Sequence, residues 1–163
     1  MTNPGKLDPI DAKILRALTR DGRIAWTDLA EEVGLSAHPT LRRVRRMEED
    51  GLIRGYSARL DETRLIGEIP VFISITLERQ VSEVLTRFEA AASALPEVMG
   101  GYLMSGNQDY MLHAFVRDLT HYRDLLARLT EMESIAHVQS SFVLKTFLSR
   151  SAPLLGESGP ERP

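Results

Sequence analysis

Residues Thr27 to Gly51, TDLAEEVGLSAHPTLRRVRRMEEDG, constrain the fold of this chain most tightly. Two short stretches with apolar residues at helical spacing flank Gly34-Leu35-Ser36. Gly34 suits the left-handed conformation that ends a helix, and other residues resist it. Ser36 is expected to cap the next helix, and Pro39 falls in its first turn, where proline is tolerated. Leu41, Val44 and Met47 are expected to face inward, and Gly51 to stop the helix. Upstream, Asp8-Pro9 opens a helix whose apolar stripe is Ile10, Ile14, Leu15 and Leu18, closed by Asp21-Gly22. The middle helix begins near Trp26 behind a weak cap, Ala25. Two helices crossed over a Gly-containing turn form a helix-turn-helix, whose second helix enters the DNA major groove.

This spacing leaves His38, Thr40, Arg42, Arg43 and Arg46 outward, with Arg45 nearer the flank. Ser36, His38 and Thr40 are the expected readers of base edges. Arg42, Arg43 and Arg46 are expected to neutralise phosphates or read guanine. The alternative is a solvated face in which these arginines pair with Glu48, Glu49 and Asp50. The whole chain carries a net charge of −3. Residues 1–60 hold 11 Lys and Arg against 9 Asp and Glu, and the rest hold 9 against 14. A slightly basic front and an acidic back point to two modules with different partners.

The pattern changes after Gly67. Val71 to Leu77 is a β-branched run, so a strand. Val81, Val84, Leu85, Phe88 and Ala92 make a helical stripe. Val98 to Ser105 and Tyr110 to Val116 read as strands around a Gly106–Asp109 hairpin loop. Tyr122, Leu125, Leu126 and Leu129 make another helical stripe, and Ile135 to Phe147 reads as a fourth strand. The order βαββαβ is ferredoxin-like, which makes the chain α+β. Leu52 to Leu60 is read as a further strand, either a wing or a connector. The expected division is a tail at 1–6, a helix-turn-helix domain at 7–53, a connecting strand and linker at 54–67, the βαββαβ domain at 68–148, and a tail at 149–163. Met111, His113 and Phe115 alternate with Leu112, Ala114 and Val116, so both sheet faces are largely apolar. Two helices cover one face only, and a second copy of the sheet is the simplest cover for the other. A homodimer is expected, with larger closed assemblies open to it.

Little here points to catalysis. The chain has no cysteine, which excludes disulfides and thiolate metal sites. Its four histidines share no metal-ligand spacing. It has neither a GxxxxGK[ST] nor a GxSxG motif. No cofactor and no metal are expected. An apolar run long enough to span a membrane is absent, and MTNPGKLD does not resemble a signal peptide, so a cytoplasmic location is expected. From spacing alone, Asp109 is a hairpin-turn aspartate.

The chain resembles the Lrp/AsnC (feast/famine) family of transcriptional regulators. The resemblance is carried by LDPIDAKILRALTRDGRI, DLAEEVGLSAHPTLRRVRRMEEDGLIRGYSARLD, VMGGYLMSGNQDYML and VQSSFVLKTFLSRSAPL, over about residues 7–156. It implies an N-terminal helix-turn-helix or winged-helix-like reader of double-stranded DNA. It also implies a C-terminal RAM domain that dimerises, assembles further into tetramers or octamers, and binds an amino acid or related effector. A Gly-x-x-Asp-Tyr motif of that family matches Gly106, Asp109 and Tyr110. By that resemblance Met104, Ser105, Gly106, Asp109 and Tyr110 form the effector site, with Asp109 accepting from an α-ammonium group. Two other classes stay open: a nucleoid-type architectural protein of low sequence specificity and, more remotely, a ferredoxin-like small-molecule enzyme.

Overall fold

The computed structural model describes residues 7–150 and 152–153. The expected tail at 1–6, and most of that at 149–163, lie outside the described residues. The chain divides into two compact units. One takes the described residues up to Arg59 with those from Leu148 onward, and the other runs from Leu60 to Phe147.

The first unit holds α1 (Pro9–Arg20), α2 (Trp26–Val33) and α3 (Ala37–Glu49). Asp8 caps α1 by accepting from the Asp11 amide, with Pro9 at the first helical position. Ala25 gives α2 no side-chain cap. Gly34 ends α2 at φ 74°, and the Leu35 amide reaches back to the Ala30 carbonyl, so the chain reverses without orphaned groups. Ile14, Ala17, Leu29, Val33, Val44 and Met47 form the core of the three helices. Burying each large apolar side chain contributes roughly 1.5–3 kcal/mol.

Residues 52–60 form no strand, contrary to the sequence expectation. A strand needs a neighbour to share its ladder, and among the described residues no segment supplies one. Almost every residue there is exposed, and Tyr56 ties the segment to α3 by donating to Glu48 at 2.9 Å. A short helix not foreseen, α4 (Glu62–Leu65), follows behind an Asp61 cap.

The second unit continues β1 (Ile69–Leu77), α5 (Ser82–Ser93), β2 (Val98–Leu103), β3 (Tyr110–Val116), α6 (Leu119–Thr130) and β4 (Ile135–Phe142). The antiparallel sheet has the order β2-β3-β1-β4, the ferredoxin-like arrangement. β4 stops at Phe142 rather than Phe147. Its partner β1 begins at Ile69, and after Val143 donates to the Pro70 carbonyl no ladder remains to pair with. Gly67 permits the entry into β1, because a Cβ there would overlap the Val116 carbonyl group and the Arg117 nitrogen.

The inner face of the sheet, Val71, Ile73, Ile75, Leu112, Ala114 and Val116, packs with Phe88, Leu125 and Leu129 of α5 and α6. The outer face has no cover from this unit. Phe72 stacks on His113 at 4.7 Å between centroids, and His113 meets the edge of Phe115 at 5.1 Å. The expectation of an apolar outer face holds along β3 and at Phe72 of β1, whereas Ser74 and Thr76 put polar groups on the same face of β1. On β4, His137, Gln139 and Ser141 stand opposite Thr76, Ser74 and Phe72, so that margin is polar. No described helix is long and apolar enough to cross a membrane.

One buried ionic group lies under the sheet. Glu97 is 5% exposed and accepts from Arg128 at 2.5 Å and from His121 at 2.9 Å. The His121 Nδ1 accepts from the Arg117 amide, so Nε2 is the nitrogen that donates to Glu97. Burial alone would raise the Glu97 carboxyl, but Arg128 and then His121 outweigh it and hold it at about 2. Glu97 therefore contributes stability above its ordinary value of 4.5, and that stability is lost as pH falls toward about 2. Thermal melts between those pH values should show a decline in melting temperature that is shallower in Glu97→Gln. Parallel curves for the two proteins would refute the assignment.

Candidate nucleic-acid interface and effector loop

α3 carries the candidate DNA-reading residues, and its buried side sets which of them face out. Thr40, Val44 and Met47 are buried, at intervals of four and three residues. A helix turns about 100° per residue, so these three lie on one face. The apolar spacing of Leu41, Val44 and Met47 predicts Leu41 there instead, with Thr40 outward. Thr40 is 0% exposed, and its hydroxyl donates to the Ser36 carbonyl at 3.0 Å. It is part of the core and does not read base edges. Leu41 is half-buried.

Ser36 caps α3 through its backbone and not through its side chain. A cap hydroxyl bonds the amide of the second or third helical residue. Here the third is Pro39, which has no N–H. Ser36 and His38 are exposed at the start of the helix.

The arginines divide into two sets. Arg43 donates to Asp8 at 2.5 Å and to Asp11 at 2.8 Å, and Arg46 also pairs with Asp11. The Asp11 side chain is 3% exposed. The Asp8 carboxyl is held below the usual range although burial opposes this; the Asp11 amide and Arg43 prevail. The outward, phosphate-facing role expected for Arg43 is therefore corrected: its guanidinium is occupied in joining α3 to α1. Removing it leaves a buried acceptor short of a donor, at a cost of about 1–3 kcal/mol. Arg46 keeps half its side chain in solvent. Arg42 and Arg45 are exposed and have no hydrogen-bond or ion-pair partner among the described residues. Arg45, expected on the flank, is turned outward because Thr40 and not Leu41 is the core position. The expected alternative pairing of these arginines with Glu48, Glu49 and Asp50 does not occur.

In the second unit the expected effector residues separate. Met104, Ser105 and Gly106 are exposed in the β2–β3 loop, where Gly106 has φ 125°, a region other residues rarely adopt. Asp109 is buried. One carboxylate oxygen accepts from the Leu77 amide at 2.7 Å and the other from Gln80 at 2.6 Å. Its own amide donates to Ile75, and its carbonyl accepts from Met104. Direct capture of an α-ammonium by Asp109 is thus corrected to a positioning role: the carboxylate fastens the loop to the end of β1. Tyr110 faces α5, not the loop. Its hydroxyl donates to Glu89 at 2.7 Å, its ring lies 4.6 Å from Phe88, and burial followed by Glu89 pushes it up to about 12. Ser141 is exposed on the outer sheet face, whereas Ser140 pairs with Ile73 on the helix side. Among the described residues no three His, Asp or Glu side chains group as metal ligands.

Asp109→Ala removes the acceptor of the buried Leu77 amide. Hydrogen exchange at Leu77 should speed up, with about 1–3 kcal/mol of stability lost. Unchanged protection there would show that Asp109 does not hold the loop.

Comparison with known proteins agrees with both halves of this geometry. The AsnC-type helix-turn-helix domain matches residues 7–48, and the Lrp/AsnC ligand binding domain matches residues 70–153. The Bkd operon transcriptional regulator of Pseudomonas aeruginosa is 52% identical over 151 residues, covering 92% of this chain and 99% of that protein. The leucine-responsive regulatory protein of Escherichia coli is 45% identical over 124 residues, 76% of each chain. An AsnC family transcriptional regulator from Agrobacterium tumefaciens superposes with a TM-score of 0.84 at 38% identity, covering 90% of this chain and 96% of that one. A transcriptional regulator from Neisseria meningitidis, solved as a complex with L-Met, superposes with a TM-score of 0.84 at 32% identity, covering 91% and 96%. With both domain types in the same order along the chain, this protein belongs to the Lrp/AsnC family of transcriptional regulators.

Proposed function

We propose that this chain acts in the cytoplasm as a dimeric, sequence-specific regulator whose grip on DNA is set by an amino acid. The exposed basic side of α3 is the observation that carries the DNA half of this reading. It presents free guanidinium groups and the exposed Ser36 and His38 on a helix held rigidly to its neighbour. One copy carries few such charges, and affinity from phosphate contacts grows with their number. Pairing supplies the rest. Two α3 helices placed about one DNA turn apart engage successive major grooves.

The aromatic outer face of the sheet, Phe72, His113 and Phe115, supports pairing through the second unit. A second copy of the same face buries it, and a two-fold contact is the usual solution. The effector is then an amino acid bound at the exposed Met104–Gly106 loop, where backbone amides hold its carboxylate. Asp109 shapes that loop from beneath. Effector binding shifts the equilibrium between dimers and larger assemblies, and so changes how many α3 helices engage DNA together.

Leucine and methionine are the first ligands to test, since relatives carry them in their names. Calorimetry should show binding of one of the twenty amino acids, and sedimentation should show a dimer or larger species whose size changes with that ligand. A monomer at micromolar concentration would exclude the assembly. Equal affinity for selected and random duplexes at every salt concentration would favour the architectural reading over the regulator.

A further inference from the structure

We propose that the DNA-contacting edge of α3 is the stripe His38–Arg42–Arg45, and that Arg43 is a positioning residue that makes no phosphate contact. This deepens the DNA-binding reading and rests on it. The buried stripe of α3 is Thr40, Val44 and Met47. At about 100° per residue, the positions opposite that stripe are His38, Arg42, Arg45 and Glu49. His38, Arg42 and Arg45 are exposed and follow one another at intervals of four and three residues, as neighbours on one helix surface do. The two arginines have no partner among the described residues, so no existing ion pair must break for them to meet a phosphate or a guanine edge.

Arg43 lies more than a quarter-turn away, on the side facing α1, and Arg46 falls between Arg43 and the stripe. Arg43 is 26% exposed in its side chain and bonds two carboxylates, one of them almost fully buried. Handing its guanidinium to DNA would leave Asp11 with one cation fewer in a site that water barely reaches. Arg46 is intermediate, with one nitrogen on Asp11 and the rest of a five-donor group largely in solvent. Glu49 continues the exposed stripe, and Glu48 and Asp50 flank it. Three carboxylates there repel the phosphate backbone. DNA contact is therefore confined to roughly the first three turns of α3, the end of a recognition helix that reaches bases.

The test uses the full chain, a short duplex of random sequence as probe, and salt between about 50 and 200 mM, where each phosphate contact adds about 0.9 to the slope of log affinity against log salt. Arg42→Ala and Arg45→Ala should each lower that slope by about 0.9 per protomer and leave the melting temperature unchanged. Arg43→Ala should keep the wild-type slope, bind more weakly because α3 is less firmly seated, and melt roughly 4–8 °C lower or more. Arg43→Lys, which retains a cation for Asp11, should recover much of the affinity and melting temperature. A wild-type slope in Arg45→Ala would overturn the assignment. So would a slope lowered by Arg43→Ala at unchanged melting temperature, or by Arg43→Lys. Absence of any salt-dependent binding by the wild-type chain would instead remove the DNA-binding reading itself.

Discussion

A carboxylate buried between helices must be given cations, and Asp11 takes both of its cations from α3. That demand fixes more than stability. It ties the helix that meets DNA to α1 through Arg43 and Arg46, with Asp8, the cap of α1, joining the same network. The start of one helix and the presentation of another thus depend on one cluster of charges. The hydrophobic core brings the helices together, but apolar contacts are not directional. The ion pairs add direction, because a guanidinium bonds carboxylates only in fixed geometries. The cost is that one arginine is withdrawn from the basic face.

The same logic operates in the second unit. Asp109 sits in a loop where an exposed carboxylate would be available to a ligand. Instead it is buried and bonded to the Leu77 amide and to Gln80. It thereby fixes the exposed Met104–Gly106 segment without itself reaching solvent. In both units a charged side chain that reads as a contact residue is a fastening within the fold.

Much of the architecture was legible in periodicity and punctuation. Asp8-Pro9, Gly34 and Gly106 announced a helix start, a helix end and a hairpin, and the structure gives each that role through local backbone geometry. The strand order followed from the succession of β-branched runs and helical stripes. The failures cluster where a partner elsewhere in the chain decides the outcome. Leu52 to Leu60 alternates well enough for a strand, but no neighbour among the described residues pairs with it. Residues 143–147 continue the apolar pattern of β4 past the point where β1 can bond it. Thr40 was misplaced because Leu41, the more apolar neighbour, fits a spacing of three to Val44 and Met47. The helix buries the spacing of four instead, and a hydroxyl bonded within its own turn is cheap to bury.

What the sequence alone determined is therefore the inventory: three helices with a tight Gly34 turn, a βαββαβ unit, a basic third helix and an apolar patch on the outer face of β3. These depend on local conformational preference and on hydrophobic periodicity, both written in neighbouring residues. Only the tertiary structure decided which charges are free. Asp8 and Asp11 lie more than thirty residues from Arg43, and Asp109 lies about thirty from Gln80 and Leu77. No local pattern links such positions. Whether a guanidinium or a carboxylate is offered to a partner depends on whether folding has already brought it an opposite charge or a buried amide.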